Sequence, residues 1–280
     1  MSTADTPPDA ASAPGREAEL DASRLPFTDH LRELRTRTIR AVAYVAVAFG
    51  VAWAFHEQIF FWLMEPYLVG LTELEGAEAD PNIAFRGVIE PVVVYLKTSL
   101  LVGFLAVVPL VLLEVWLFVA PGLYRAERRY AAPFLIASVF FFLGGVTFCR
   151  YLVLEPALTV LLAFGGDNTE AVIMMQEYFS FTSMLLTVFG VMFELPVVTS
   201  FATLIGLLDY RDLVKNWKFA VVGAFVLGAM FTPPDPLTQA ALAVPMVVLY
   251  GLSIVLSYLL NRDGRPRLSI EPDPDELAAP

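Results

Sequence analysis

The sequence LFVAPGLYRAERRY, residues 117–130, lies between two long apolar runs and decides how the rest of the chain is interpreted. Pro121 and Gly122 end the first run, because proline lacks the N–H that a helix needs and glycine tolerates left-handed geometry. Three arginines follow within five residues, and a basic cluster beside an apolar span is typical of the cytoplasmic side of a membrane. Glu127 lies among these arginines, either as their salt-bridge partner or as a docking point for an arginine of another molecule.

The composition of the 280-residue chain indicates a membrane protein. Hydrophobic residues make up 57% of the chain and charged residues 17%, whereas water-soluble domains carry about 25% charged residues. The sequence therefore predicts an all-α polytopic membrane protein. The single cysteine, Cys149, excludes an intramolecular disulfide and a cysteine-based metal cluster. His30 and His56 lie far apart without metal-ligand spacing, so neither a metal nor a cofactor is expected.

Polar tails are predicted to flank one membrane domain. Residues 1–24, rich in Ala, Pro, Ser and Asp, predict a disordered tail, and residues 263–280 predict another. The membrane domain is expected over 25–262. It is expected to open with an interfacial amphipathic helix, whose start Thr28 or Asp29 can cap.

Six apolar runs within this domain reach or approach the ~20 residues that a transmembrane helix needs. They lie at roughly 39–55, 92–119, 131–152, 178–205, 219–231 and 237–260. The first could reach Met64, and Pro66 is expected to begin an acidic outer loop. The fifth run is short for a hydrocarbon core of ~30 Å, which indicates either local thinning of the bilayer or a short helix buried in the bundle.

Basic residues are segregated along this map. Fifteen of the 18 Lys and Arg residues lie in the N-terminal segment, in residues 120–130, in residues 209–218 and in residues 261–280. Only Arg86, Lys97 and Arg150 lie elsewhere. The positive-inside rule therefore predicts that both termini are cytoplasmic, which requires an even number of spans, and six spans fit.

Glu194 is the acidic residue that lies most clearly inside a span. An ionised carboxylate at that depth costs about 3 kcal/mol, so the side chain is expected to be protonated, partnered or in a wet cavity. Pro196 follows two residues later and predicts a helix bend that leaves a carbonyl free. The alternative for Glu194 is a helix–helix hydrogen bond of purely structural value.

Three further acidic residues are candidates. Glu33 lies on the polar face of the interfacial helix, where an i,i+4 pair with Arg37 worth about 0.3 kcal/mol is the alternative. Glu114 lies one or two turns inside the end of the second span, where it can snorkel or hydrogen-bond within the protein. Asp235 stands between prolines at the outer end of the fifth span, where a turn residue is the alternative.

Enzyme and transporter classes are poorly supported. The chain has no Walker sequence, no GxSxG and no histidine within a predicted span, so the groups for catalysis inside a membrane are missing and no enzyme is expected. A proton-coupled transporter using Glu194 is the chief alternative. That class is expected to show internal repeats, and none is apparent.

Five stretches of this sequence resemble the TatC family, the receptor subunit of the twin-arginine protein translocase. They are HLRELRTR at 30–37, the proline of MEPYL at 64–68, VWLFVAPGLYRAERR at 115–129, FGVMFELPV at 189–197 and VGAFVLGAMFTPPDPLTQAALAVPMVVLY at 222–250. The resemblance covers residues 25–262. It implies a glove-shaped bundle of six transmembrane helices that binds the twin-arginine signal peptide of folded cargo and nucleates export driven by the proton-motive force.

The resemblance also implies roles for particular residues. Glu33 and Glu127 match the signal-peptide-binding acids, and Glu194 matches a polar residue of the concave membrane face. Pro66 and Asp235 match positions in outer segments with less definite roles. The chain departs from the family at Glu114, where glutamine is common.

The partners and the location follow from the same resemblance. It implies the single-span proteins TatA and TatB, further copies of this chain within a receptor complex, and the lipid of the cytoplasmic (inner) membrane. No nucleic acid is expected among the partners.

Overall fold

The computed structural model describes residues 14–75, 83–119, 130–163, 172–231 and 236–262. Six helical segments within them are long and apolar enough to cross a membrane, by length and composition. These segments follow the six predicted spans in order. The prediction of an all-α polytopic protein is therefore confirmed.

The described helices follow one another along the chain. They are α1 (Pro14–Ala54), α2 (His56–Glu75), α3 (Glu90–Val119), α4 (Ala131–Phe148), α5 (Leu154–Ala163), α6 (Met175–Met192), α7 (Leu195–Leu204), α8 (Tyr210–Phe231) and α9 (Pro236–Arg262). A π-helical turn at Cys149–Val153 joins α4 to α5. Strands β1 (Ile83–Ala84) and β2 (Ile173–Met174) pair in parallel, with Ile83 opposite Ile173.

Helices α1 and α3 run antiparallel and define the two ends of the bundle. The rings of His30 and Phe118 stack with their centroids 4.3 Å apart. Farther along, a Cβ atom added to Gly103 would lie 2.9 Å from the backbone nitrogen of Phe49, so the helices approach closely there. We call the two ends the His30 end and the α2 end, after the elements that lie there.

The last two helices form a second antiparallel pair. The Tyr250 hydroxyl of α9 donates a hydrogen bond to the Leu213 carbonyl of α8 at 2.9 Å. Toward the other end of both helices, the Gln239 side chain donates to the Phe225 carbonyl, also at 2.9 Å. Since each successive span reverses direction, the end of α9 returns to the end of the bundle where α1 enters.

The largest core cluster lies where α2 packs against α5, and side chains of α6 and of the π-helical turn complete it. Leu63, Met64 and Tyr67 of α2 are fully buried there. The Tyr178 hydroxyl of α6 donates to the Leu63 carbonyl at 2.6 Å. The α2 end is therefore a packed layer rather than a loose connection between spans.

Pro66 lies inside α2, so the prediction that it begins a loop is wrong. Proline removes one backbone hydrogen bond from a helix, which is the local reason for that prediction. Here Pro66 itself is fully buried, and so are Met64 and Tyr67 on either side. Their burial offsets the lost hydrogen bond and keeps the chain helical as far as Glu75.

The fifth span is also longer than predicted. Helix α8 has 22 residues, which gives a length of about 33 Å, enough to cross a membrane. The residues before Phe219 continue the helix because they make its first turns amphipathic, with a buried side and a polar side. Leu213 is buried, whereas Lys215 and Lys218 are exposed.

Two other boundaries differ from the prediction. Helix α1 begins at Pro14 rather than near Thr28, so residues 14–24 are helical where a disordered tail was predicted. Proline suits the first helical turn, and the Glu, Ala and Leu residues that follow favour a helix. The third span continues through α5 to Ala163. Residues 1–13 and 263–280 lie outside the described ranges, so the proposed domain limits stay predictions.

Candidate functional site

At the His30 end, Arg37 of α1 binds two carboxylates. Its Nη2 donates to Glu33 Oε1 at 2.9 Å, and its Nη1 donates to Glu114 Oε2 at 3.0 Å. The Tyr44 hydroxyl donates to Glu114 Oε1 at 3.2 Å. Residues 33, 37 and 44 lie on one face of α1 because they are spaced by one and two helical turns. Antiparallel packing brings Glu114 of α3 to that face.

The two carboxylates of this network differ in exposure. The Glu114 side chain is 6% exposed, and both of its oxygens accept hydrogen bonds. The Glu33 side chain is 31% exposed, and within the described residues only its Oε1 accepts a hydrogen bond. With all three groups ionised, two carboxylates surround one guanidinium. The network therefore keeps an excess negative charge, and Glu33 is its accessible member.

Both structural alternatives from the sequence are present in this network. Glu33 forms the i,i+4 pair with Arg37, and Glu114 hydrogen-bonds within the protein instead of snorkelling to the interface. The contact with Arg37 does not use all the acceptor capacity of Glu33, because an ionised carboxylate offers about four lone-pair sites.

Glu194 lies in a turn between α6 and α7, at mid-span as predicted. Pro196 is buried at the start of α7 and cannot continue the hydrogen-bond ladder of α6. The backbone N–H groups of Val197 and Val198 donate to the Glu194 carbonyl at 3.0 and 2.9 Å. The predicted bend therefore takes the form of an interrupted helix.

The carboxyl group of Glu194 is only partly satisfied. The Ser138 hydroxyl of α4 interacts with it, and the Trp116 indole N–H of α3 donates to the same hydroxyl at 3.2 Å. The other carboxyl oxygen, Oε1, is buried and has no hydrogen-bond partner among the described residues. A buried oxygen without a donor is expected to accept a hydrogen bond from water or from a partner molecule.

Close packing of α4 against α6 holds this arrangement. A Cβ atom added to Gly145 would lie 2.7 Å from the Phe189 carbonyl oxygen and from the Phe193 side chain. Only glycine fits such an approach. Gly145 therefore fixes α4, which carries Ser138, against the helix end that carries Glu194.

The structure brings some of the candidate residues together and separates others. Glu33 and Glu114 share one guanidinium, whereas Glu194 shares no hydrogen bond or ion pair with them across the described residues. Pro66 lies in α2 at the opposite end of the bundle. Glu127 and Asp235 lie in segments 120–129 and 232–235, outside the described residues.

Sequence reasoning missed the buried position of Arg150 at the α2 end. Its side chain is only 4% exposed. Its Nη2 donates to the Trp62 carbonyl at 2.8 Å and to Glu65 Oε2 at 2.7 Å. The guanidinium also lies 4.9 Å from the Trp62 ring and 5.1 Å from the Tyr151 ring. The sequence signal for this buried side chain was the position of an arginine near the end of a predicted apolar span.

These features define a polytopic α-helical membrane protein that carries an accessible acidic network at one end and a partly satisfied carboxyl group within the bundle. No group of three or more His, Cys, Asp and Glu residues that could hold a metal ion occurs in the part of the chain that the structure describes. The family model described as "Sec-independent protein translocase protein (TatC)" matches residues 29–245. The chain therefore belongs to the TatC family, and it is a multi-pass membrane protein of a protein-transport system.

Individual relatives agree with this membership. The chain is 38% identical over 235 residues to the Sec-independent protein translocase protein TatC of Desulforapulum autotrophicum, covering 84% of this chain and 85% of the relative. It is 35% identical over 240 residues to the TatC of Aquifex aeolicus, covering 85% and 97%. The crystal structure of the twin-arginine translocase receptor TatC matches with a TM-score of 0.72 and 33% identity, covering 83% of this chain and 100% of the solved chain.

Proposed function

We propose that this protein is the receptor and core subunit of the twin-arginine translocase, which binds the twin-arginine signal peptide of folded cargo. Its bound cargo is then exported across the cytoplasmic (inner) membrane by the proton-motive force. The observation that carries the proposal is the accessible carboxylate of Glu33 in a network with excess negative charge at the His30 end. Membership of the TatC family indicates that the process is protein transport.

The chemistry of recognition follows from the shape of arginine. A guanidinium presents N–H donors in a planar fork, which a carboxylate accepts in a bidentate manner. Arg37 already occupies one oxygen of Glu33. Bidentate contact with an incoming arginine therefore needs a second acid. Glu127 belongs to the segment that follows α3, and α3 ends at the same end of the bundle at Val119. We propose that Glu33 and Glu127 hold the arginine pair together.

The central experiment measures binding of a peptide with an Arg-Arg motif to purified wild-type protein and to Glu33→Gln and Glu127→Gln variants. Each substitution keeps the side-chain shape and removes the charge. Each is expected to weaken binding several-fold to a hundredfold, because a charge-assisted contact at a wet interface is worth about 1–3 kcal/mol. Glu127→Arg is expected to weaken binding most, because it adds repulsion.

Two controls make this result specific. Glu57→Gln removes an exposed acid from the opposite end of the bundle and is expected to leave the affinity unchanged. A Lys-Lys peptide is expected to bind wild type less tightly than the Arg-Arg peptide, because an ammonium lacks the planar fork. Unchanged affinity with a lowered melting temperature in Glu127→Gln would mean that Glu127 only pairs with its neighbouring arginines.

We also propose that the termini and residues 120–130 are cytoplasmic, from the segregation of basic residues. Cysteines at positions 126 and 77, in a variant without Cys149, test this orientation. A membrane-impermeant thiol reagent added outside intact cells is expected to modify position 77 and not position 126. The reverse pattern would contradict the topology.

We propose that Glu194 serves a later step, assembly with the single-span subunits TatA and TatB in a complex that holds several copies of this chain. Support comes from its unpartnered buried oxygen beside the helix break. Glu194→Ala is expected to keep the affinity for the Arg-Arg peptide and to impair export together with co-purification of TatA. Full export by this variant would rule out the assembly role.

A further inference from the structure

Lys97 is the cation whose position the proposed receptor function leaves unexplained. It is exposed and lies in the second turn of α3, about 10 Å from the start of the helix at Glu90. Arg37 and Arg150 both bind carboxylates. In the described residues Lys97 forms no ion pair, although it lies within a membrane span. An unpaired charge within a span is rare and costly to keep, which makes Lys97 a candidate for a functional site.

Lys97 borders a groove of about 600 Å³ between α3 and α6. Leu100 and Phe104 continue the α3 wall below the lysine, and Met184 lines the opposite wall. Ser183 of α6 adds a hydroxyl group to that opposite wall. The groove therefore combines one cation and two hydroxyl groups, those of Ser183 and Thr187, with a largely apolar surface.

The length of the groove restricts what can fill it. Its lining runs from residue 97 to 104 on α3 and from 179 to 188 on α6, which corresponds to about 10–14 Å along the helices. One leaflet of the hydrocarbon core is about 15 Å thick, whereas a spanning helix needs about 30 Å. The groove therefore fits an acyl chain of one leaflet and is too short to hold a spanning helix along its length.

From the helix ends inward, the groove offers a cation, then a hydroxyl group, then apolar side chains. A phospholipid presents its phosphate, its ester carbonyls and its acyl chain in the same order. The flexible stem of Lys97 can carry its ammonium outward to the level of lipid phosphates. Ser183 now donates to the Ser180 carbonyl at 3.1 Å, a local bond that a serine exchanges at little cost. Ser183 can thus donate to an ester carbonyl of the lipid, while the acyl chain lies along Leu100 and Phe104.

We propose that this groove binds one anionic phospholipid from the leaflet at the α2 end, with the phosphate held by Lys97. The charge of Lys97 favours an anionic headgroup over a zwitterionic one, whose own ammonium would compete for the phosphate. This site is separate from the Glu33 network, which lies at the opposite end of α3. Lipid binding at this site can therefore be measured without a signal peptide.

Native mass spectrometry of purified protein tests the proposal, with phosphatidylglycerol or phosphatidylcholine added at equal concentration. Wild type is expected to retain one phosphatidylglycerol molecule more strongly than phosphatidylcholine. Lys97→Gln is expected to weaken that retention roughly fivefold, as the loss of one basic residue near anionic lipid predicts. Lys97→Arg keeps the charge and is expected to restore retention.

Lys218→Gln is the matched control, because Lys218 is an exposed lysine of α8 at the other end of the bundle. It is expected to retain phosphatidylglycerol as wild type does. If Lys218→Gln lowered the retention of phosphatidylglycerol as much as Lys97→Gln does, the effect would come from overall charge, and the proposed site would be wrong. Equal retention by Lys97→Gln, or equal retention of both lipids by wild type, would also overturn the site.

A photoactivatable phosphatidylglycerol with its reactive group on the acyl chain locates the bound lipid. Cross-links are expected on peptides that contain Leu100 to Phe104 or Met184, and they are expected to fall in Lys97→Gln. Cross-links confined to other helices would overturn the assignment. So would an acidic single-span polypeptide that co-purifies with wild type, is lost with Lys97→Gln and excludes the lipid.

Discussion

An arginine lies at the centre of a polar network at each end of the bundle, and the two networks differ in charge balance. At the His30 end, Arg37 faces two carboxylates, of which Glu33 is accessible. At the α2 end, Arg150 faces one carboxylate, a carbonyl and two aromatic rings. The same side-chain chemistry thus leaves a surplus acid at one end and a charge-balanced pair with a buried guanidinium at the other.

This difference indicates different roles for the two ends. A charge-balanced pair whose guanidinium is buried has no surplus charge for a ligand, so Arg150 joins the π-helical turn to α2 and stabilises the fold. A network with a surplus acid attracts a further cation, which is the property that the proposed recognition of an arginine pair requires. Variants that alter one network are therefore expected to separate stability from binding.

The largest expected effect on stability is that of Arg150→Ala. It removes a buried guanidinium from Glu65, the Trp62 carbonyl and two aromatic faces. Breaking a buried pair costs about 3–5 kcal/mol, and because Glu65 is half-exposed we expect about 3 kcal/mol. Unfolding of the detergent-solubilised protein measures this loss.

The same variant tests whether the Arg150 network at the α2 end is purely structural. The fraction that remains folded is expected to bind an Arg-Arg peptide with wild-type affinity. A melting temperature equal to that of wild type would contradict the structural role of Arg150. A specific loss of peptide affinity would contradict the division of roles between the Arg37 and Arg150 networks.

Glu114→Gln is expected to have a smaller effect on stability and a visible effect on binding. The amide can still accept one hydrogen bond from Arg37 or Tyr44, so we expect a loss of about 1–2 kcal/mol. The substitution also neutralises the surplus charge, so Arg37 then balances Glu33. We expect the affinity for an Arg-Arg peptide to fall roughly fivefold, a difference of about 1 kcal/mol. Titration at two salt concentrations measures it, and tighter binding would refute the charge argument.

The smallest effect is expected for the exposed pair between Arg86 and Glu177 at the α2 end. Their closest atoms are 2.6 Å apart, but the side chains are 69% and 61% exposed. Exposed ion pairs contribute about 0–1 kcal/mol, because water and salt compete. A double-mutant cycle with Arg86→Ala and Glu177→Ala is expected to give a coupling energy below about 1 kcal/mol. A coupling as large as that of Arg150 would show that exposure does not separate these networks.

Local sequence signals predicted α3 well and failed at α2. The start and end of α3 agree within about two residues, because a long apolar run bounded by Glu90-Pro91 and Pro121-Gly122 leaves few alternatives. At Pro66 the local rule predicted a loop. Burial of α2 against α5 and α6 overrode that rule, and burial by a distant segment cannot be read from the local sequence.

The candidate site was predicted one residue at a time rather than as a set. Glu33, Glu114 and Glu194 were each identified from charge placed at the edge or within a span. The shared guanidinium between Glu33 and Glu114 was not predicted, because Arg37 and Glu114 are 77 positions apart. The interaction between Ser138 and Glu194 was missed for the same reason, since a single serine in an apolar run gives no signal.

The sequence by itself determined the number of spans and where the charged segments fall between them. Those properties depend on apolar length and charge summed along short windows, and a window carries all the information that they need. Only the tertiary structure decided which charges are neutralised and which stay available. That outcome depends on the antiparallel contact of α1 with α3, which pairs Arg37 with Glu114, and on the packing of α3 beside α6, which leaves Lys97 without a carboxylate among the described residues.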